Sequence, residues 1–205
     1  MGPSAHMHRD LAALTAAWAL GLVLSGIEPY DRLTWLLEVL PALIALPILW
    51  LIRNRCGFST LVYGLILFHG LVLMLGAAYT YARTPLGFWL QDMLDLERNP
   101  YDRIGHLVQG LVPAMIAREL LILHFELKRG RLLVFLIVCI CLAISAFYEF
   151  TEWWGALAIG SGADEFLGTQ GDQWDTQSDM FMALIGAVLA LALLSRLHDR
   201  SMAKR

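Results

Sequence analysis

The sequence predicts an all-α, polytopic membrane protein: one domain over residues 1–205, a bundle of about six transmembrane helices with both termini in the cytoplasm. Three observations predict it. Mean hydropathy is +0.61, and 58% hydrophobic against 16% charged residues leave too little polar surface for a soluble domain. Apolar runs of membrane-spanning length recur along the chain. The basic residues divide unevenly between the two ends of those runs: Arg9, Arg53, Arg55, Arg118, Lys128, Arg129, Arg131, Arg196, Arg200, Lys204 and Arg205 fall on one side, and only Arg32, Arg83, Arg98 and Arg103 on the other. The excess marks the cytoplasmic face.

Met1 to Ala5, ahead of His6-Met7, looks like a cloning scar before a native Met7. Residues 1–6 are therefore expected to be a tag remnant and contribute nothing to a metal argument. Leu11 to Ile27, with no A-x-A cleavage site and no lipobox cysteine after it, is expected to be a retained signal-anchor helix. Leu33 to Ile52 forms the second helix, broken up by Pro41 and Pro47 and carrying Glu38. Phe58 to Ala82 forms the third, with His69 inside it. In the periplasmic stretch 83–103, Leu86, Phe88, Trp89, Leu90, Met93, Leu94 and Leu96 alternate with Gln91, Asp92, Asp95 and Glu97, a pattern that suits a short helix in the membrane interface.

The fourth helix starts at Ile104, carries His106 and Gln109, and is expected to continue amphipathically to Gly130. Leu132 to Tyr148 is the fifth and Met180 to Ser195 the sixth. Between them, 155–175 reads as a periplasmic acidic loop without lysine or arginine. Trp35, Trp89, Trp153, Trp154 and Trp174 cluster at the same boundary, as an aromatic belt would. Cys56, Cys139 and Cys141 form neither a CxxC pair nor a zinc spacing and read as packing residues.

Counting about 1.5 Å per residue from the cytoplasmic basic residues places Glu149 about 27 Å, Asp179 about 26 Å and Glu38 about 23 Å away, just inside the outer edge of a core of about 30 Å. The same count puts His69 at about 21 Å and His106 at about 18 Å. Five helices thus bring ionisable groups to one layer. Glu149 and Glu152 are spaced i,i+3, His106 and Gln109 i,i+3, and Asp175 and Asp179 i,i+4, each pair sharing a helix face. Acids within a membrane are functional candidates by default, and acids this close repel unless a cation, a proton or a basic residue lies between them.

The expected site follows. His106, Glu149, Asp175 and Asp179 are the candidate metal ligands, for zinc, manganese or magnesium. Glu149, Glu152 and Asp175 are the candidate catalytic groups. Glu38, His69, Asp102, Arg103, Gln109 and Asp172 support them. Beside this stands a plainer account, in which His69 is a hydrogen-bonded packing residue and Asp172 and Asp175 cap a helix start. A metal-free proton or hydrogen-bond network also satisfies the layer.

With these residues in hand, the sequence resembles the YjdF-like family of bacterial inner-membrane proteins, whose function is unknown. The resemblance is carried by His69 with Tyr79-Thr80-Tyr81-Ala82, by the run Arg98 to Gly110, by Arg118-Glu119, by Glu149 with Glu152-Trp153-Trp154, and by the run Gly168 to Met180. It implies a multi-pass protein of the bacterial inner membrane and brings no chemistry. More distantly, the order of motifs is similar to that of VanZ-like membrane proteins, although Glu152 stands where that pattern has a glutamine and Asp172 where it has an arginine. That likeness points to cell-envelope lipids or glycopeptide resistance.

No nucleophile elbow, phosphate loop or dinucleotide fingerprint is present, which removes those enzyme classes. Three functions remain: a metal-assisted hydrolase or transferase on a lipid or lipid-linked substrate, a cation- or proton-linked transporter or ion-binding protein, and a structural polar network. Transport sites usually lie nearer the midplane than these acids do. The lipid bilayer is the expected partner, nucleic acid is not, and no feature of the sequence sets an oligomeric state.

Overall fold

The structure, a computed structural model, describes residues 5–160 and 167–204. Among the described residues, eight α-helices run α1 (Ala5–Gly26), α2 (Arg32–Ile52), α3 (Thr60–Tyr79), α4 (Pro85–Leu94), α5 (Tyr101–Leu123), α6 (Arg131–Ile159), α7 (Asp175–Leu189) and α8 (Ser195–Met202). A short 3-10 turn at Tyr81–Arg83 follows α3, and a π-helical stretch at Ala190–Leu194 joins α7 to α8 without a break. Among the described residues there is no strand. Five spans are long and apolar enough to cross a bilayer: α2, α3, α5, α6 as far as Ala158, and the continuous rod Asp175–Met202. The sixth long helix, α1, packs on α3 and α2.

α5 is the central helix, packing against α3, α6 and α7. It approaches α7 so closely that a Cβ at Gly110 would overlap the Ala183 carbonyl, and one at Gly186 would overlap that of Leu107. Without a hydrophobic drive between helices in lipid, small residues that admit backbone contact are what hold such a pair together. The core around it includes Val108, Val112, Ala114 and Met115 of α5, with Ile137 and Cys141 of α6 and Ala187 of α7. Large apolar residues such as Leu51, Phe135 and Leu193 face outward, as a lipid-facing surface requires.

Several boundaries differ from the sequence expectation. α5 ends at Leu123 instead of continuing to Gly130, because the N–H groups of Phe125 and Leu127 turn back to the carbonyls of Leu120 and Leu121 and Glu126 adopts a left-handed φ of 52°. α6 does not stop at Tyr148 but runs on to Ile159, since no proline or paired glycine interrupts the stretch before Gly160. The start of the expected 155–175 loop is therefore helical, and residues 161–166 lie outside the described residues. α7 begins at Asp175, five residues earlier than expected, and the rod continues past Ser195 to Met202. The 83–103 stretch holds α4, started by Pro85 and ended by Asp95 in the left-handed region, with Phe88, Trp89, Met93 and Leu94 exposed. The expected tag remnant falls mostly outside the described residues.

Candidate functional site

The first two turns of α5 carry Asp102, His106 and Gln109 on one face, and α6 and α7 bring carboxylates to it. Asp102, His106 and Asp179 each offer one ligand atom within 4.8 Å of the others, and all three are buried. His106, Glu149 and Glu152 form a second such trio, with Glu152 half-buried. His106 belongs to both. Its Nδ1 donates to Gln109 Oε1 at 3.1 Å and lies 3.7 Å from Glu149 Oε1, leaving the Nε2 lone pair 3.7 Å from Asp102 Oδ1. Tyr148 closes the imidazole from the side, edge-on with ring centroids 5.8 Å apart. Glu149 Oε1 and Asp179 Oδ1 are buried with no hydrogen-bond partner, as is Glu38 Oε2 nearby. Groups left so are costly unless something neutralises or bonds them.

Two arginines from the loop before α5 and its first turn neutralise the outer acids. Arg98 Nη1 lies 2.5 Å from Asp175 Oδ1, and Arg103 Nη2 2.5 Å from Asp172 Oδ2. The Trp174 backbone N–H and the Arg103 guanidinium hold the Asp172 carboxyl below the usual carboxylate range. Arg98 is itself fixed by a clasp between two loops. Its Nη2 donates to Gly168 O at 3.0 Å, while Asn99 N donates to Gln170 Oε1 and Gln170 Nε2 returns a bond to Asn99 O, both at 3.0 Å. Asn99, wholly buried, also donates to Thr84 O and accepts from Tyr101 N–H. The run Gly168 to Gln170 is thereby locked to the start of α5.

The family model described as "Predicted membrane protein (DUF2238)" matches residues 11–200. The chain belongs to this family. It is 50% identical over 196 residues, 95% of its own length and 94% of the relative's, to inner membrane protein YjdF of Escherichia coli (strain K12). With its apolar spans, this makes it a multi-pass protein of the bacterial inner membrane. No solved structure matches it. The comparisons do not show the VanZ-like likeness.

Within this DUF2238 chain, the expected site residues divide into four groups. His106, Glu149, Glu152 and Asp179 converge, joined by Asp102, which the sequence cast only in support, and by Gln109 as the bond that orients His106. Asp175, expected as ligand and catalytic group, joins neither trio, because Arg98 holds it in an ion pair. Asp172 and Arg103 pair at the outer rim. Glu38 and His69 also lie outside the trios. His69 lines a cavity of about 130 Å³ that reaches Asp102 and His106, and Glu38 lines a larger cleft beside it. Sequence reasoning missed Arg98, Tyr81 and Tyr148. Arg98 stands i,i+4 from Asp102, a spacing that points to it.

Proposed function

We propose that this protein is a divalent-metal-dependent hydrolase or transferase acting on a lipid or lipid-linked substrate of the cell envelope. The observation that carries the reading is the pair of buried, unpartnered carboxylate oxygens, Asp179 Oδ1 and Glu149 Oε1, on either side of His106. Asp102, His106 Nε2 and Asp179 are the ligands this reading assigns. Ligand atoms around one ion lie roughly 3–4 Å apart, so this trio needs only small side-chain adjustment to close on it. A nitrogen and two oxygens suit zinc or manganese better than magnesium. A divalent ion here supplies Lewis-acid polarisation and acidifies water. Glu149 and Glu152, on the far side of the imidazole, then serve as general base, taking the proton of the attacking water or hydroxyl and returning it to the leaving group.

The test is metal content and thermal stability of the detergent-purified protein. A bound metal at a hundredfold excess over its Kd stabilises by about 2.7 kcal/mol. Chelation is expected to lower Tm by roughly 5–10 °C in a chain of this size, and re-addition of one divalent ion to restore it. Glu149→Gln should retain metal and lose turnover of lipid-linked substrates. A protein that carries no stoichiometric metal and ignores chelators overturns the reading. One observation then favours proton relay or ion binding instead: the cavity joining Asp102 and His106 to His69 and Pro113 runs inward along α5 toward the membrane interior.

A further inference from the structure

A cleft of about 590 Å³ separates α2 from α6. α2 is packed on α1 and α3, and α6 on α5 and α7, and among the described residues no helix fills the space between them. Its walls include Leu40, Pro41, Ile44 and Ile48 of α2 and Ile144 and Phe147 of α6. Ile44 is 51% exposed and Phe147 59%, so the cleft opens sideways to the bilayer. Its rim carries Glu38, Asp102 and Glu152, the last two being members of the ligand trios. An apolar trough that ends in a polar site, at membrane depth and open to lipid, has the shape of a lipid's own polarity gradient.

We propose that this cleft takes one hydrocarbon chain of a lipid from the leaflet bordering the polar layer, and holds that lipid's amine-bearing head against Glu38 and Glu152. The proposal rests on the lipid-substrate reading above and names the substrate class for it. Length favours a single chain from one leaflet. Glu38 to Ile48 spans ten residues, about 15 Å of helix and half of a core of about 30 Å. The chemistry of the rim selects the head. Three carboxylates and the hydroxyls of Tyr81, Tyr148 and Thr151 line the cleft, with no lysine or arginine among the described lining residues. Glu38 is 4% exposed, yet its Oε2 has no partner, and the Tyr81 hydroxyl likewise has none. Such a rim offers acceptors in surplus, which an ammonium with its three donors satisfies and an anionic head does not. Pro41 adds a reason for the hollow, since a proline inside a helix removes one backbone bond and bends it there.

Native mass spectrometry of the full-length protein, equilibrated with mixed micelles of equal phosphatidylethanolamine and phosphatidylglycerol, tests this. One phosphatidylethanolamine should remain bound after activation. Ile44→Trp and Ile48→Trp, which fill the trough from a lipid-facing position, should each lower the bound fraction about tenfold. Leu51→Trp, on the same helix, 79% exposed and outside the cleft, should leave it unchanged. Glu38→Gln should keep lipid but lose the preference for phosphatidylethanolamine. No retained lipid, or equal loss in the Ile44 and Leu51 variants, overturns the cleft. Equal retention of phosphatidylglycerol by the unmodified protein overturns the amine-bearing head. Metal content measured on the same samples separates this from the hydrolase reading. Cleft-dependent lipid without metal refutes catalysis and leaves the docking intact, and metal without lipid does the reverse.

Discussion

His106 is the residue through which the outer acids become one site, because it alone belongs to both trios and Gln109 fixes which nitrogen is free. The acids around it are not equivalent. Arg98 neutralises Asp175, whereas among the described residues no arginine or lysine pairs with Asp179, so two aspartates one helical turn apart differ in role. Asp179→Asn should therefore abolish metal binding and the chelator-sensitive part of Tm, and Asp175→Asn should leave both in place. Arg98→Gln leaves the nearly buried Asp175 carboxylate with only the longer 3.9 Å contact to Arg103 and should cost about 1–3 kcal/mol, part of which the double variant Arg98→Gln/Asp175→Asn recovers. Unfolding of the four proteins in graded denaturing detergent measures the coupling. Strict additivity would show that the pair does not carry the stability assigned to it.

Among the elements, the α5–α7 contact sets the distance between Asp102 and His106 on one helix and Asp179 on the other. Gly110→Ala drives a methyl group into the Ala183 carbonyl, a backbone atom that moves only if α7 moves. Overpacking of this kind costs about 1–3 kcal/mol or more, and here it should also weaken metal affinity by separating the ligands. Gly64→Ala, exposed in α3 with open space at its Cβ, is the matched control and should be neutral or stabilising by up to about 1 kcal/mol. Equal effects of the two substitutions on metal affinity would discard the spacing role. The placement of the helices was legible in the sequence because hydropathy and the lipid thickness fix it together, and counting residues along each span was enough to put Glu149, Asp179 and His106 in one layer. Rotation about each helix axis was not legible. A count cannot show that Asp175 turns toward Arg98 while Asp179 turns toward His106, nor that Gln170 locks the loop before α5. The late end of α6 escaped for a local reason: no proline interrupts its residues to Ile159 and the single Gly155 does not break the helix, whereas charge and aromatic content suggested a boundary that the backbone does not make.

On the scale of the whole molecule, the polar groups form two separate assemblies joined by α5. At the end opposite the trios, Glu119 accepts from Ser59 N–H at 2.7 Å, Ser59 hydroxyl at 2.6 Å and His198 Nε2–H at 2.8 Å. Arg118 donates to His198 Nδ1 at 3.0 Å and to Asp199 at 2.7 Å, and Arg129 also donates to Asp199. This ties the start of α3, the C-terminal turns of α5, and α8 together. His198 is wholly buried, and Glu119 and Arg118 are nearly so. Every strong group here has its partner, in contrast to Glu149 and Asp179, so the inner assembly has the character of a fastener and the outer one is the candidate site. Glu119→Ala should consequently destabilise by about 3–5 kcal/mol, since it leaves the buried Ser59 N–H and the His198 Nε2–H without an acceptor. Thirteen residues of helix, about 20 Å, separate Glu119 from His106, well beyond the range of direct coupling. Its stability cost should therefore add to that of Asp179→Asn within about 0.5 kcal/mol, and metal affinity in Glu119→Ala should match the unmodified protein under conditions where it stays folded. A loss of metal in the folded Glu119 variant would instead mean that α5 transmits strain from one end to the other, and that the two assemblies act as one unit.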